Sequence, residues 1–169
     1  ASAATLKGVT AFKNRLYYWT GVDQNFYYSA TVSTHQGNFT KFPTGLVGTF
    51  GGNLIQIGTL TVDGGEGVDD LLTLMMSSGE VLVYSGTDPS ASSFALVGTF
   101  RIAEPVNEVR AIAKLGGDLI IATKEGYLPL SQVFRQDLVG NKAAAISEKI
   151  RGTVIRQVAL TGATTGWQI

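Results

Sequence analysis

An internal repeat constrains this chain more than any other feature. Leu16-Tyr17-Tyr18-Trp19, a turn, and Phe26-Tyr27-Tyr28-Ser29 make one copy. Leu72-Thr73-Leu74-Met75 with Leu82-Val83-Tyr84-Ser85 makes a second, and Leu119-Ile120-Ile121-Ala122 with Leu128-Pro129-Leu130-Ser131 a third. The opening leucine and closing serine are 13, 13 and 12 positions apart. A second element also recurs: Gly45-Leu46-Val47-Gly48-Thr49-Phe50 returns as Ala95-Leu96-Val97-Gly98-Thr99-Phe100. A period of roughly 50 residues with several strands per unit matches β-propeller blades and not helical solenoids.

The strand runs have the character that blades require. Val81-Leu82-Val83-Tyr84 and Leu119-Ile120-Ile121-Ala122 are continuously apolar. A sheet with one wet face shows alternation, whereas a blade is covered on both faces by its neighbours. A buried strand of any larger β fold reads the same way. Further runs are Phe12–Trp19, Asn25–Ser29, Asn53–Val62, Asp70–Met76, Phe94–Ile102, Glu108–Lys114 and Tyr127–Leu130. Most breaks carry Gly, Asn or Asp, the pattern of hairpins. Pro129 has no N–H for a ladder, so its run is predicted to be an edge strand or a strand end. Ile146, Ile150, Val154 and Val158 step by four, which predicts one helix over Ala143–Val158, with Asn141 as N-cap and Gly162 as its stop.

The expected fold is all-β with one helix near the C-terminus. About three propeller-like blades fill residues 1–140, and 141–169 hold the helix and the start of a further strand. A propeller closes with about 4–8 blades. The set is therefore expected to be incomplete, or completed by partner subunits. The start at Ala1, without an initiator Met, reads as processing or as a piece of something longer.

Composition removes several functions. Thirteen basic and thirteen acidic residues cancel, so the basic stripe of a nucleic-acid binder is missing. Without cysteine there is no disulfide framework and no thiolate chemistry. No apolar run approaches the ~18 residues of a membrane helix, and Ala1–Thr5 lacks a signal-peptide layout. Charged residues are only 15%, against about 25% in ordinary soluble domains, which fits a surface covered by partners.

The densest polar cluster is Val62–Asp70, where Asp63, Glu66, Asp69 and Asp70 are interleaved with three glycines. Hard cations take several oxygens from such a loop, which makes these four carboxylates a candidate Ca²⁺ site. Their spacing matches neither the EF-hand nor the calcium nonapeptide repeat. An acidic hairpin loop with turn-capping aspartates is the competing reading. No other cofactor and no enzymatic activity is expected. His35 is the only histidine and sits in a polar loop. There is no nucleophile elbow, P-loop or dinucleotide fingerprint. Tyr17, Tyr18, Trp19, Phe26, Tyr27 and Tyr28 suit either sugar stacking or core packing, and paired strands favour the core.

Phe12-Lys13-Asn14-Arg15-Leu16-Tyr17 resembles the start of a blade in large structural tail proteins of tailed bacteriophages. Val62–Asp70, Ser78-Gly79-Glu80-Val81 and Tyr84–Ser90 follow in the same order. Gly116–Leu119, Gly126–Ser131, Glu148–Gly152 and Gly166-Trp167-Gln168 complete the resemblance. It implies a virion protein of the hub, nozzle or stabilisation type, located in the tail and made in the host cytoplasm. It also implies assembly with copies of itself and with other tail or connector proteins, away from membranes and without sequence-specific nucleic-acid binding. A carbohydrate- or receptor-binding β module is the alternative.

Overall fold

The computed structural model describes residues 5–33, 37–63, 68–106, 110–135 and 145–161, and their side chains except at 62, 63, 68, 69, 134 and 135. Three antiparallel sheets follow one another along the chain, each a simple meander. The first contains β1 (Gly8–Phe12), β2 (Arg15–Trp19), β3 (Phe26–Tyr28) and β4 (Thr40–Phe42). The second contains β5 (Leu54–Asp63), β6 (Val68–Met76), β7 (Glu80–Ser85) and β8 (Ala95–Arg101). The third contains β9 (Ile112–Leu115), β10 (Asp118–Thr123) and β11 (Gly126–Pro129). Two helices follow, α1 (Leu130–Arg135) and α2 (Arg151–Thr161), the latter entered through a 3₁₀ turn at Glu148–Ile150. The fold is mostly β with a helix near the C-terminus, and among the described residues the sheets form no closed barrel, which is compatible with incomplete blades.

Each copy of the repeat is the hairpin of second and third strands in its sheet. Tyr17 pairs with Tyr28, Leu74 with Leu82 and Ile121 with Leu128. The continuously apolar runs have a direct cause. Leu72, Leu74, Leu82 and Tyr84 of the middle sheet face Tyr17, Trp19, Phe26 and Tyr28 of the first. The intervening Met75, Val81 and Val83 face Ile112, Leu119 and Ile121 of the third. The middle sheet is thus buried on both faces, and alternation between two cores reads in sequence as no alternation at all. Gly58 permits the close approach on the second side, where a Cβ would lie 2.8 Å from a Leu119 methyl.

Several details differ from the sequence expectations. The run Phe12–Trp19 is two strands, because Lys13 and Asn14 at φ 40° and 66° form a two-residue hairpin turn. Within Glu108–Lys114 the strand begins only at Ile112, and Glu108 lies outside the described residues. β11 is an edge strand ending at Pro129, as the proline predicts. Leu130 and Ser131 then open a helix and do not continue the strand. Proline cannot extend the ladder, and Asp118 accepts hydrogen bonds from the Ser131 N–H (2.9 Å) and hydroxyl, which holds the first turn of α1.

The C-terminal helix starts later than expected, and Ala143, Asn141 and Gly162 lie outside the described residues. Its four-step stripe is not a buried face. Val154 is buried, but Ile146 and Ile150 are exposed. The 3₁₀ turn at Glu148–Ile150 advances the chain at three residues per turn and breaks the phase of that stripe.

Candidate functional site

The acidic cluster lies on the hairpin of β5 and β6. Asp63 pairs with Val68, Val62 with Asp69, and Thr61 with Asp70. Asp70 is exposed and accepts a hydrogen bond from the Thr61 hydroxyl at 2.7 Å. Glu66, with the side chains of Asp63 and Asp69, lies outside the described residues, as does His35. Among the described residues no group of three or more acidic or histidine side chains is placed to hold a metal.

The aromatic strands are core. Tyr17, Tyr18, Trp19, Phe26 and Tyr28 are all buried. Tyr17 contacts Phe12, Phe26 and Tyr28, while Tyr18 lies under Phe39 at 4.4 Å between centroids. Tyr27 alone of the six is half-buried, its hydroxyl against the Asp23 carboxylate. Burial pushes the Tyr17 phenol up to about 12, Arg15 pulling it back and Asp88 and Tyr28 adding to the rise. Burial likewise raises Tyr84. The hydroxyls of both are buried without a hydrogen-bond partner.

Polar clamps join the sheets at their rims. Arg15 of β2 bonds Asp88 in the loop after β7. The Ser90 hydroxyl and N–H, followed by the Arg15 charge, hold that carboxyl below its ordinary value. Lys124 likewise pairs with Glu104 and lowers its pKa. An open depression of about 460 Å³ lies beside that pair, lined also by Ser77, Ser78 and Pro105. A second, of about 390 Å³, is lined by Asp23, Gln24, Asn25, Pro43 and Leu46. The Ser77 and Ser78 hydroxyls are already engaged with the backbone of Asn53 and Gly51, so the first depression offers few free polar groups.

The most distinctive arrangement is one that sequence reasoning missed. Glu80, the first residue of β7, is fully buried. Its carboxylate accepts the backbone N–H groups of Thr49 and Phe50 at 2.9 and 3.1 Å. Arg101 stands opposite Glu80 in the ladder and spreads its guanidinium over the Phe50 ring at 4.4 Å. The first copy of the Leu-Val-Gly-Thr-Phe motif is thereby pinned to the middle sheet. It is not a strand: Thr44–Leu46 form a 3₁₀ turn, whereas the second copy is β8. The doubled motif was visible in the sequence. Glu80 gave no signal beyond a charged residue at a strand start.

Leu46, Val47, Phe50, Leu96 and Val97 are exposed on the two motif copies, with no carboxylate among them. No family model, no curated protein and no solved structure matches the chain.

Proposed function

We propose that the chain is a structural virion protein of a bacteriophage tail or head–tail junction, acting by subunit assembly and without catalysis. The observation that carries this reading is the stack itself. A middle sheet is packed on both faces by its neighbours, and the stack stays open instead of closing into a barrel. A chain of that kind is a building block, because blade faces and edges at its ends suit further protein. Only 15% of residues are charged, and exposed apolar side chains line the margin of the middle sheet. Both features suit burial against subunits, as in obligate interfaces. The ordered resemblance to tail proteins supplies the biological setting.

In this reading the partners are further copies and other tail or connector proteins, and the location is the virion tail after synthesis in the host cytoplasm. Asp63, Glu66, Asp69 and Asp70 remain a candidate Ca²⁺ loop within that assembly. Peptide mass spectrometry of purified virions from the phage that encodes the chain tests the reading. The expected result is the chain in tail fractions at a ring-like copy number. A parent reading frame lying among non-viral genes, or virions that lack the chain, overturns it.

A further inference from the structure

The loop between β2 and β3 and the chain leaving β4 emerge at the same end of the first sheet, because Trp19, Phe26 and Phe42 stand in one row of its ladder. Between them lies the open depression of about 390 Å³, within the range of roughly 300–1,000 Å³ that takes small organic ligands. One wall is Asp23, Gln24 and Asn25, and the other is Pro43, Gly45 and Leu46.

Both walls are held in place. The Asp23 carbonyl accepts the Leu54 N–H at 2.7 Å, where β5 begins. One oxygen of the Asp23 carboxylate accepts the Asn25 N–H (3.1 Å) and the Thr20 hydroxyl (3.2 Å). The other oxygen has only the Tyr27 hydroxyl, at 3.5 Å, and keeps most of its accepting capacity. On the opposite wall Thr44 is fully buried and anchors the 3₁₀ turn that holds Leu46 out, 85% exposed. The side-chain amides of Gln24 and Asn25 make no hydrogen bond to the described residues. The Gln24 amide is nevertheless fixed, since it lies directly on Gly45, where a Cβ would collide with its oxygen.

We propose that this depression binds a neutral saccharide, with the carbon face of the ring on Leu46 and Pro43 and its hydroxyls bridging the Asp23 carboxylate and the two amides. The donor and acceptor set selects the ligand. A carboxylate only accepts, whereas each amide both donates and accepts. Adjacent ring hydroxyls do both at every oxygen and match all three groups. An ammonium group only donates and leaves the amide N–H groups unanswered, and an anion meets the Asp23 charge. The apolar wall gives the carbon face of a ring a surface that leaves water. A depression this open covers one side of a ring, so affinity for a single sugar is low.

Amide NMR of the isotope-labelled full chain, titrated with the methyl glycosides of glucose, galactose, mannose and N-acetylglucosamine to tens of millimolar, is the test. The expected result is a saturable shift confined to the two walls with at least one glycoside. Asn25→Ala raises the dissociation constant about tenfold or more, because one amide is lost. Gly45→Ala does the same without removing a polar group, because its methyl displaces the Gln24 amide. Glu104→Gln, beside the other depression, leaves binding unaltered. No saturable shift with any of these glycosides overturns the proposal. So do shifts that both wall variants keep, or that Glu104→Gln weakens equally. Equal shifts on adding ethylammonium or N-acetylglycinamide mark a cation or peptide site and overturn it as well.

Discussion

The double burial of the middle sheet yields a prediction sharp enough to break the architecture. Leu82 and Val83 are adjacent in β7, both fully buried, and belong to opposite cores. Leu82→Ala removes three carbons toward the first sheet. At about 0.8 kcal/mol per methylene, plus a cavity contribution, the loss is about 3 kcal/mol. Val83→Ala removes two carbons toward the third sheet and loses about 2 kcal/mol by the same reasoning. For a chain of this length each kcal/mol lowers Tm by about 2–4 °C, giving about 6–12 °C for Leu82→Ala. Urea unfolding followed by far-ultraviolet circular dichroism, at constant m-value, measures each loss. In a two-layer sandwich one of these side chains would face water, and its truncation would change stability by no more than about 0.5 kcal/mol. Either single variant within that margin of the parent refutes the stacked arrangement.

Three further outcomes are expected. Glu80→Ala leaves the Thr49 and Phe50 N–H groups without their acceptor and lowers stability by about 1–3 kcal/mol. Limited proteolysis should then cut first within residues 44–50, and an unchanged digestion pattern contradicts the pin. The Tyr17 phenol has a folded-state pKa of about 12 against an ordinary 10.0, so the folded state holds this proton more tightly. Its contribution is fully present below pH 10 and is lost as pH rises toward 12. Tyr17→Phe should flatten alkaline unfolding in that window, and an unaltered profile removes the argument. Saturating Ca²⁺ should raise the thermal midpoint if the acidic hairpin binds it, and Asp70→Asn should abolish the rise. No shift at saturation eliminates the cation site.

The three hairpins were legible because each has apolar runs flanked by turn residues, and the middle sheet because its runs refuse to alternate. The features that escaped were fixed elsewhere in the chain. Lys13 and Asn14 adopt positive φ without a glycine to advertise the turn, inside an aromatic run that reads as one strand. α1 depends on the Asp118 carboxylate, 13 residues away from Ser131, which no local pattern reports. The candidate site divides the same way. Four acidic residues near one turn were visible as composition, but composition does not set where carboxylates point. Glu80 was invisible because its role is defined by a loop 30 residues upstream.

The doubled Leu-Val-Gly-Thr-Phe motif shows why repetition in sequence does not guarantee repetition in structure. Backbone N–H groups brought against a sheet need acceptors, and there is more than one way to supply them. In β8 the ladder with β7 satisfies them. In the first copy Pro43, without an N–H of its own, precedes a 3₁₀ turn, and the Glu80 carboxylate takes the Thr49 and Phe50 N–H groups. The fully buried Glu80 side chain is tolerated because both of its oxygens accept backbone donors. The two solutions meet at one residue pair, since Arg101 closes β8 while its guanidinium covers Phe50 of the other copy. Divergence between the copies leaves Leu46, Val47 and Phe50 of the one and Leu96 and Val97 of the other exposed. The repeated sequence thus makes a strand where a ladder is at hand and a pinned loop where a buried carboxylate supplies the acceptors.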